Sequence, residues 1–201
     1  MEQLLPRFRA AHTQVLGISV DSIFCHANWA QSLGGISFPL LADFHPKGSV
    51  ANSYGLYLDD EGITDRATVI IDAGATVRHA SSVTPAGRRN IEELAELCDS
   101  IDTEHGAGLP DFPVPEGIGK VHALFVKSNC GFSRKAMLAR ENLHLQNELP
   151  LKNVTEDPKA REDLVRLSGK DQAPCLMIEG NPIQESDEIV RYLVNCATDL
   201  G

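Results

Sequence analysis

Positive charge is scarce in this chain: 18 lysines and arginines stand against 28 aspartates and glutamates, a formal net charge of −10 over 201 residues. A surface of that sign does not gather phosphates, which argues against nucleic acid or an anionic membrane as the main partner. Long apolar runs are missing as well. The opening residues Met1-Glu2-Gln3-Leu4-Leu5-Pro6-Arg7 lack the basic-then-apolar layout of a signal peptide. No membrane span is expected, and cytoplasm is the expected compartment. Paired cysteines are wanting too: Cys25, Cys98, Cys130, Cys175 and Cys196 form no CxxC and no metal-ligand spacing. An odd number in a reducing compartment reads as free thiols rather than a disulfide framework, and no metal site is expected. What is left, 42% hydrophobic and 23% charged, suffices for one large domain or two small ones, acting on a small molecule or another protein.

The apolar pattern predicts alternating elements. A strand is expected in Gln14–Asp21, a helix over Ile23–Leu33 stopped by Gly34-Gly35, and a strand over Phe38–Asp43. A short helix follows over Gly48–Tyr54, then two strands, Ala67–Asp72 and Thr76–Ser81, around a glycine-containing turn, and a helix over Ile91–Cys98. Gly106, Gly108, Pro110, Pro113, Pro115, Gly117 and Gly119 then leave little room for a regular element. Domains are accordingly expected over residues 1–100 and 120–201, with a linker over 101–119. Beyond it the pattern gives strand Val121–Val126, helix Ser133–Leu143, strand Leu151–Val154, helix Lys159–Leu167, strand Cys175–Glu179 turning through Gly180-Asn181-Pro182, and helix Asp187–Asn195. That order, βαβαββα, is thioredoxin-like, and the fold class is α/β.

Cys130 stands directly after an apolar run and just before a helix, in Ser128-Asn129-Cys130-Gly131-Phe132-Ser133. Where a redox dithiol would carry its second cysteine, this chain has Ser133. A helix N-terminus favours the thiolate, and Lys127 adds a positive charge that can support it or hold a substrate carboxylate. Cys98 and Cys196 lie on apolar helix stripes and read as inert thiols.

Together with Gln172-Ala173-Pro174 and Glu185-Ser186-Asp187, this stretch resembles a glutaredoxin, with an overtone of the glutathione-transferase N-terminal domain, over about Lys120 to Leu200. The resemblance implies that Cys130 attacks glutathionylated disulfides and that Lys127 binds a glutathione carboxylate. It also implies that Phe132 belongs to the glutathione site, that Pro174 is a cis-proline with the Ala173 backbone pairing to glutathione, and that Glu185 and Ser186 meet the γ-glutamyl end. Glutathione would be the co-substrate. The tetrad CGFS leaves an alternative open, since it is typical of monothiol glutaredoxins that share an iron–sulfur cluster between two subunits.

Residues from about Glu2 to Cys98 resemble the peroxiredoxin family. The likeness rests on Val15-Leu16-Gly17-Ile18-Ser19-Val20-Asp21-Ser22, Trp29-Ala30, Phe38 to Pro46, Ala51 to Gly55 and Arg66 to Asp72. It implies that Arg66 hydrogen-bonds a peroxide and supports a reactive thiolate, and that Cys25 can serve as a resolving thiol. The loop that carries that family's peroxidatic cysteine, and the strand before it, have no counterpart in the 201 residues. The expected architecture is therefore two thioredoxin-like domains, the first lacking its N-terminal strand and peroxidatic-cysteine loop, and an unstable first unit is expected. Such a hybrid implies glutathione and either peroxides or glutathionylated thiols as partners, in a homo-oligomer.

Overall fold

The computed structural model describes residues 1–198, apart from the side chain of His122. The chain divides into two compact units, Met1–His26 with Phe38–Phe112, and Ala27–Ser37 with the residues from Pro113 onward.

The first unit opens with a 3-10 turn, Glu2–Leu4, and helix α1, Leu5–Ala10, which has Pro6 in its first turn where no intrahelical N–H is needed. Strand β1, Gly17–Ser19, precedes helix α2, Ile23–Ser32, and pairs in parallel with β2, Leu40–Ala42. Helix α3, Ser49–Ser53, is preceded by Asp43, whose buried carboxylate accepts from the Val50 and Ala51 N–H groups at 3.0 and 2.9 Å. The small hairpin β3, Tyr57–Leu58, with β4, Ile63–Thr64, has no apolar alternation long enough to be legible in the sequence. Antiparallel β5, Ala67–Ile71, and β6, Val77–Ser82, form the expected pair. The three pairs are separate sheets, and no strand among the described residues joins them. Helix α4, Ile91–His105, is capped by Asn90 and runs well past the expected Cys98, because Ile101 and Asp102 continue its helical spacing before Gly106 ends it. Its buried residues Ala95 and Cys98 meet Phe8 of α1 and Ala11 at the end of that helix.

The second unit has one four-stranded sheet in the order β10-β9-β7-β8. Strand β7, Val121–Val126, leads into helix α5, Gly131–Asn142, and then into β8, Leu151–Asn153, which pairs with β7 in parallel. Helix α6, Pro158–Ser168, follows, and then β9, Cys175–Ile178, antiparallel to β7, and β10, Asn181–Ile183, antiparallel to β9. Asn181 and Pro182, expected in the turn, belong to β10, because Glu179 and Gly180 make the reversal with positive φ. Helix α7, Ser186–Ala197, completes the thioredoxin-like arrangement.

Side chains of β7 and β9 alternate between two cores. Leu124, Val126, Leu176 and Ile178 pack with Ala136 of α5 and with Ile189 and Leu193 of α7; Ala123, Phe125, Cys175 and Met177 pack with Ala160 and Leu164 of α6. Period-two alternation with both faces apolar is what makes these strands read as unbroken hydrophobic runs. Burial of Leu164 and Leu193, both at 0% exposure, contributes roughly 2 kcal/mol each by the usual area relation.

Candidate functional site

The strand order places the C-terminal end of β7 beside the N-terminal end of β9, since Phe125 is in register with Cys175. The loop leaving β7 carries Lys127, Ser128, Asn129 and Cys130; the segment entering β9 carries Asp171, Gln172, Ala173 and Pro174. Asn129 adopts φ 56°, a left-handed conformation that a short polar side chain tolerates, and turns the chain into α5. Cys130 is the N-cap of α5, in extended backbone, and its carbonyl accepts the Arg134 N–H at 2.9 Å.

Ser133 explains the local electrostatics. Its side chain is fully buried, and its hydroxyl oxygen accepts the Lys127 N–H at 3.0 Å. The Cys130 pKa is lowered first by this hydroxyl and then by the Ser133 N–H; partial desolvation opposes them, and the Phe132 N–H and the charge of Lys127 add less. The helix terminus and Lys127, the supports expected from the sequence, come after this hydroxyl. The serine was legible only as a missing cysteine, although its spacing three residues beyond the thiol puts its side chain within reach of a helix N-cap. A Cβ on Gly131 would meet nothing within 4 Å, so the position after the thiol faces open space.

The remaining candidates of this unit gather at the same end of the sheet. Lys127 Nζ donates to the Asp171 carbonyl at 3.3 Å, and Gln172 Nε2 donates to Glu185 Oε1 at 3.4 Å. Phe132 is 69% exposed beside the thiol, a large apolar ring with no core to fill. The Ala173–Pro174 bond is cis, and Pro174 is buried. Glu185 is the exposed N-cap of α7, while Ser186 is buried at its first position. Lys135 of α5 pairs with Asp187 of α7.

On the other flank of β7, the Ser128 hydroxyl donates to Glu156 Oε1 at 2.6 Å and accepts from Asn153 Nδ2 at 2.8 Å, and the Ser128 N–H donates to Thr155 Oγ1 at 3.1 Å. Nothing in the sequence signals this network, because its members are separated by more than 20 residues. The thiol loop is thus held from both sides.

The other cysteines differ from Cys130. Burial raises Cys98, and it pushes Cys175 up to about 11, so the cysteine next to the cis-proline stays a thiol at neutral pH. Cys196 lies half-buried beside Tyr192. Among the described residues no group of three His, Cys, Asp or Glu side chains is placed to hold a metal ion, and no helix is long and apolar enough to cross a membrane.

In the first unit Cys25 is exposed in the first turn of α2, its N–H donating to Ser22 Oγ at 3.3 Å. Arg66, just before β5, donates from Nε to the Pro85 carbonyl at 3.1 Å. Arg89, which sequence reasoning left out of the site, donates to Thr68 Oγ1 and the Ala67 carbonyl at 2.9 and 2.7 Å. Desolvation first and the charge of Arg66 second hold Arg89 below the ordinary guanidinium value, with the charge of Asp65 opposing them.

Comparison with known proteins matches residues 1–80 to the sequence model of the AhpC/TSA family and residues 129–196 to that of the glutathione S-transferase N-terminal domain. The chain is 31% identical over 116 residues to the 2-Cys peroxiredoxin BAS1, chloroplastic, of Spinacia oleracea, covering 55% of this chain and 42% of that protein. It is 30% identical over 135 residues to a putative peroxiredoxin of Entamoeba histolytica, covering 59% and 57%. It is 36% identical over 86 residues to alkyl hydroperoxide reductase E of Mycobacterium tuberculosis, covering 43% and 56%. The chain spans about half the length of these curated relatives. Among solved structures, Mycobacterium tuberculosis AhpC aligns with a TM-score of 0.47 at 28% identity, covering 51% of this chain and 58% of that one. Two family matches therefore lie on one chain: an AhpC/TSA match on residues 1–80, supported by peroxiredoxin relatives, and a glutathione S-transferase N-terminal match on residues 129–196.

Proposed function

We propose that the chain is a glutathione-dependent thiol–disulfide oxidoreductase of a peroxiredoxin–glutaredoxin hybrid type, with Cys130 as its nucleophile. The observation that carries the proposal is the Cys130–Ser133 pair: a half-exposed thiol favoured as thiolate by a buried hydroxyl, with no second cysteine in reach of the helix turn. The Cys130 thiolate attacks the glutathione sulfur of a mixed disulfide, forming a Cys130–glutathione disulfide and releasing the partner thiolate, which takes a proton from water. A second glutathione, as thiolate, attacks that disulfide at the glutathione sulfur, so that oxidised glutathione leaves and the Cys130 thiolate returns. The net exchange consumes one glutathione and one mixed disulfide and yields one thiol and one oxidised glutathione.

Lys127 suits the glycine carboxylate of glutathione, while at the α7 N-terminus the Ser186 end of the helix suits the γ-glutamyl carboxylate and the Glu185 carboxylate its ammonium, with the Ala173 backbone before cis-Pro174 between them. Phe132 would cover the tripeptide's apolar side. Peroxide reduction belongs to the peroxiredoxin family that the first unit resembles, where Arg66 would face the peroxide and Cys25 would serve as a resolving thiol; the exchange proposed for this chain runs through Cys130. Exposed Phe24, Phe44, Leu16 and Ile18 of the first unit support a homo-oligomer, which sedimentation tests.

The deciding experiment couples reduction of a glutathionylated peptide to glutathione reductase and NADPH consumption. Turnover that vanishes in Cys130→Ser is expected; turnover that persists in that variant overturns the assignment of the nucleophile. A glutathione-dependent visible chromophore after anaerobic iron and sulfide reconstitution, lost in the same variant while the native chain shows no disulfide turnover, would replace this reading by a cluster carrier.

A further inference from the structure

Two charges stand on opposite sides of the loop that carries the thiol, and neither forms a salt bridge among the described residues. On the β9 side Lys127 directs its ammonium at a main-chain carbonyl, that of Asp171. The Asp171 carboxylate is bridged by Arg161 and feels the charge of Lys127 as well, and Lys135 is bridged by Asp187. On the β8 side Glu156 is exposed, and its carboxylate is held by the neutral Ser128 hydroxyl at 2.6 Å. The neighbouring Asp157 carboxylate is occupied in capping α6, accepting the Lys159 N–H at 2.9 Å. Ser128 is fixed in turn by Asn153 and Thr155, so Glu156 is anchored two residues from the nucleophile in the loop it braces rather than free to swing as an ordinary surface glutamate.

We propose that Glu156 is a specificity-determining residue that selects, as the thiol-bearing half of the mixed disulfide, protein segments with a lysine or arginine next to the glutathionylated cysteine. The inference rests on the glutathione-dependent exchange at Cys130. The strand order supplies its geometry. Glutathione lies along the β9 and α7 side, where Lys127, Ala173, Pro174, Glu185 and Ser186 gather, and the β8 and α6 side of the mouth is left to the protein partner. Glu156 acts on both halves. It repels glutathione carboxylates from the β8 side, which reinforces their placement near Lys127, and it attracts a basic flank on the partner. Cysteines beside lysine or arginine are also those with depressed thiol pKa, the ones that become thiolates and form mixed disulfides most readily.

The test uses the full chain and two peptides that differ in one residue, Lys or Glu, beside a glutathionylated cysteine, with kcat/KM measured for each at low and high salt. The native chain is expected to prefer the Lys peptide by about fivefold at low salt, the size of one exposed charge pair, with the preference shrinking as salt is raised. Glu156→Gln should abolish the preference, Glu156→Lys should reverse it, and Glu156→Asp should restore most of it. Equal losses on both peptides with an unchanged ratio would mean that Glu156 only braces the loop, and would overturn the proposal. So would a native chain that turns over both peptides without preference. A native chain that reduces neither peptide would instead remove the exchange reaction itself, and this inference with it.

Discussion

At the scale of single residues, Ser133 connects burial to chemistry. A buried hydroxyl must find partners, and this one accepts from the Lys127 backbone while acting as the foremost influence that lowers the Cys130 pKa. Because the folded pKa of Cys130 is depressed, the thiolate is present at lower pH than for a free cysteine, and the associated stabilisation is lost as pH falls through that lowered value. Replacing Ser133 by alanine should shift the pH profile of Cys130 alkylation upward. It should also lower the alkylation rate at neutral pH by roughly tenfold, the worth of one hydrogen bond to a charged group. Iodoacetamide kinetics across pH measure this, and an unmoved profile would assign the lowered pKa to the helix terminus alone.

At the scale of elements, α6 is tied to β8 through Asp163, which accepts from Lys152 at 3.1 Å and from Arg166 at 2.6 Å. Those partners, Arg166 first and Lys152 second, lower the Asp163 pKa from 3.8 to about 2. A depressed carboxylate stabilises the fold above its unfolded pKa, and that contribution disappears as pH falls from about 4 through about 2. Asp163→Asn should therefore flatten the acid limb of the denaturation curve between those values, read by circular dichroism; an identical acid limb would show the bridge to be inert. The apolar side of the same helix responds differently. Leu164→Ala empties space in a closed core and should cost about 2–5 kcal/mol at any pH, measured by urea unfolding.

At the scale of the whole molecule, the two units bury their strands unequally. Strands β7 and β9 lie between two cores of ten and seven buried residues, whereas the core of the first unit holds four, and its three strand pairs remain separate. Ile18 of β1 is 42% exposed and Ile71 of β5 is 47% exposed, values foreign to a central strand. Hydrogen exchange on the full chain should find the amides of β7 and β9 protected at least a hundredfold more than those of β1 and β5, since local opening follows buried apolar contact. Equal protection would mean that the first unit is stabilised by something other than its own core.

The sequence by itself determined the α/β class, the order of the second unit's elements, the glycine-rich stretch after α4 and the position of Cys130 at a helix start. These follow from apolar periodicity and from glycine and proline, which act over a few neighbouring residues. The cis bond at Pro174 was legible only through a family resemblance, not from the residues themselves. Tertiary structure alone decided that Ser133 is buried and braces the Lys127 N–H, that Arg89 reaches Thr68 and the Ala67 carbonyl, and that Ser128 holds Glu156 across 28 residues of chain. Contacts of that kind depend on which strand ends the sheet brings together, and the pairing of β7 with both β8 and β9 is a property of the packed sheet rather than of any local run of residues.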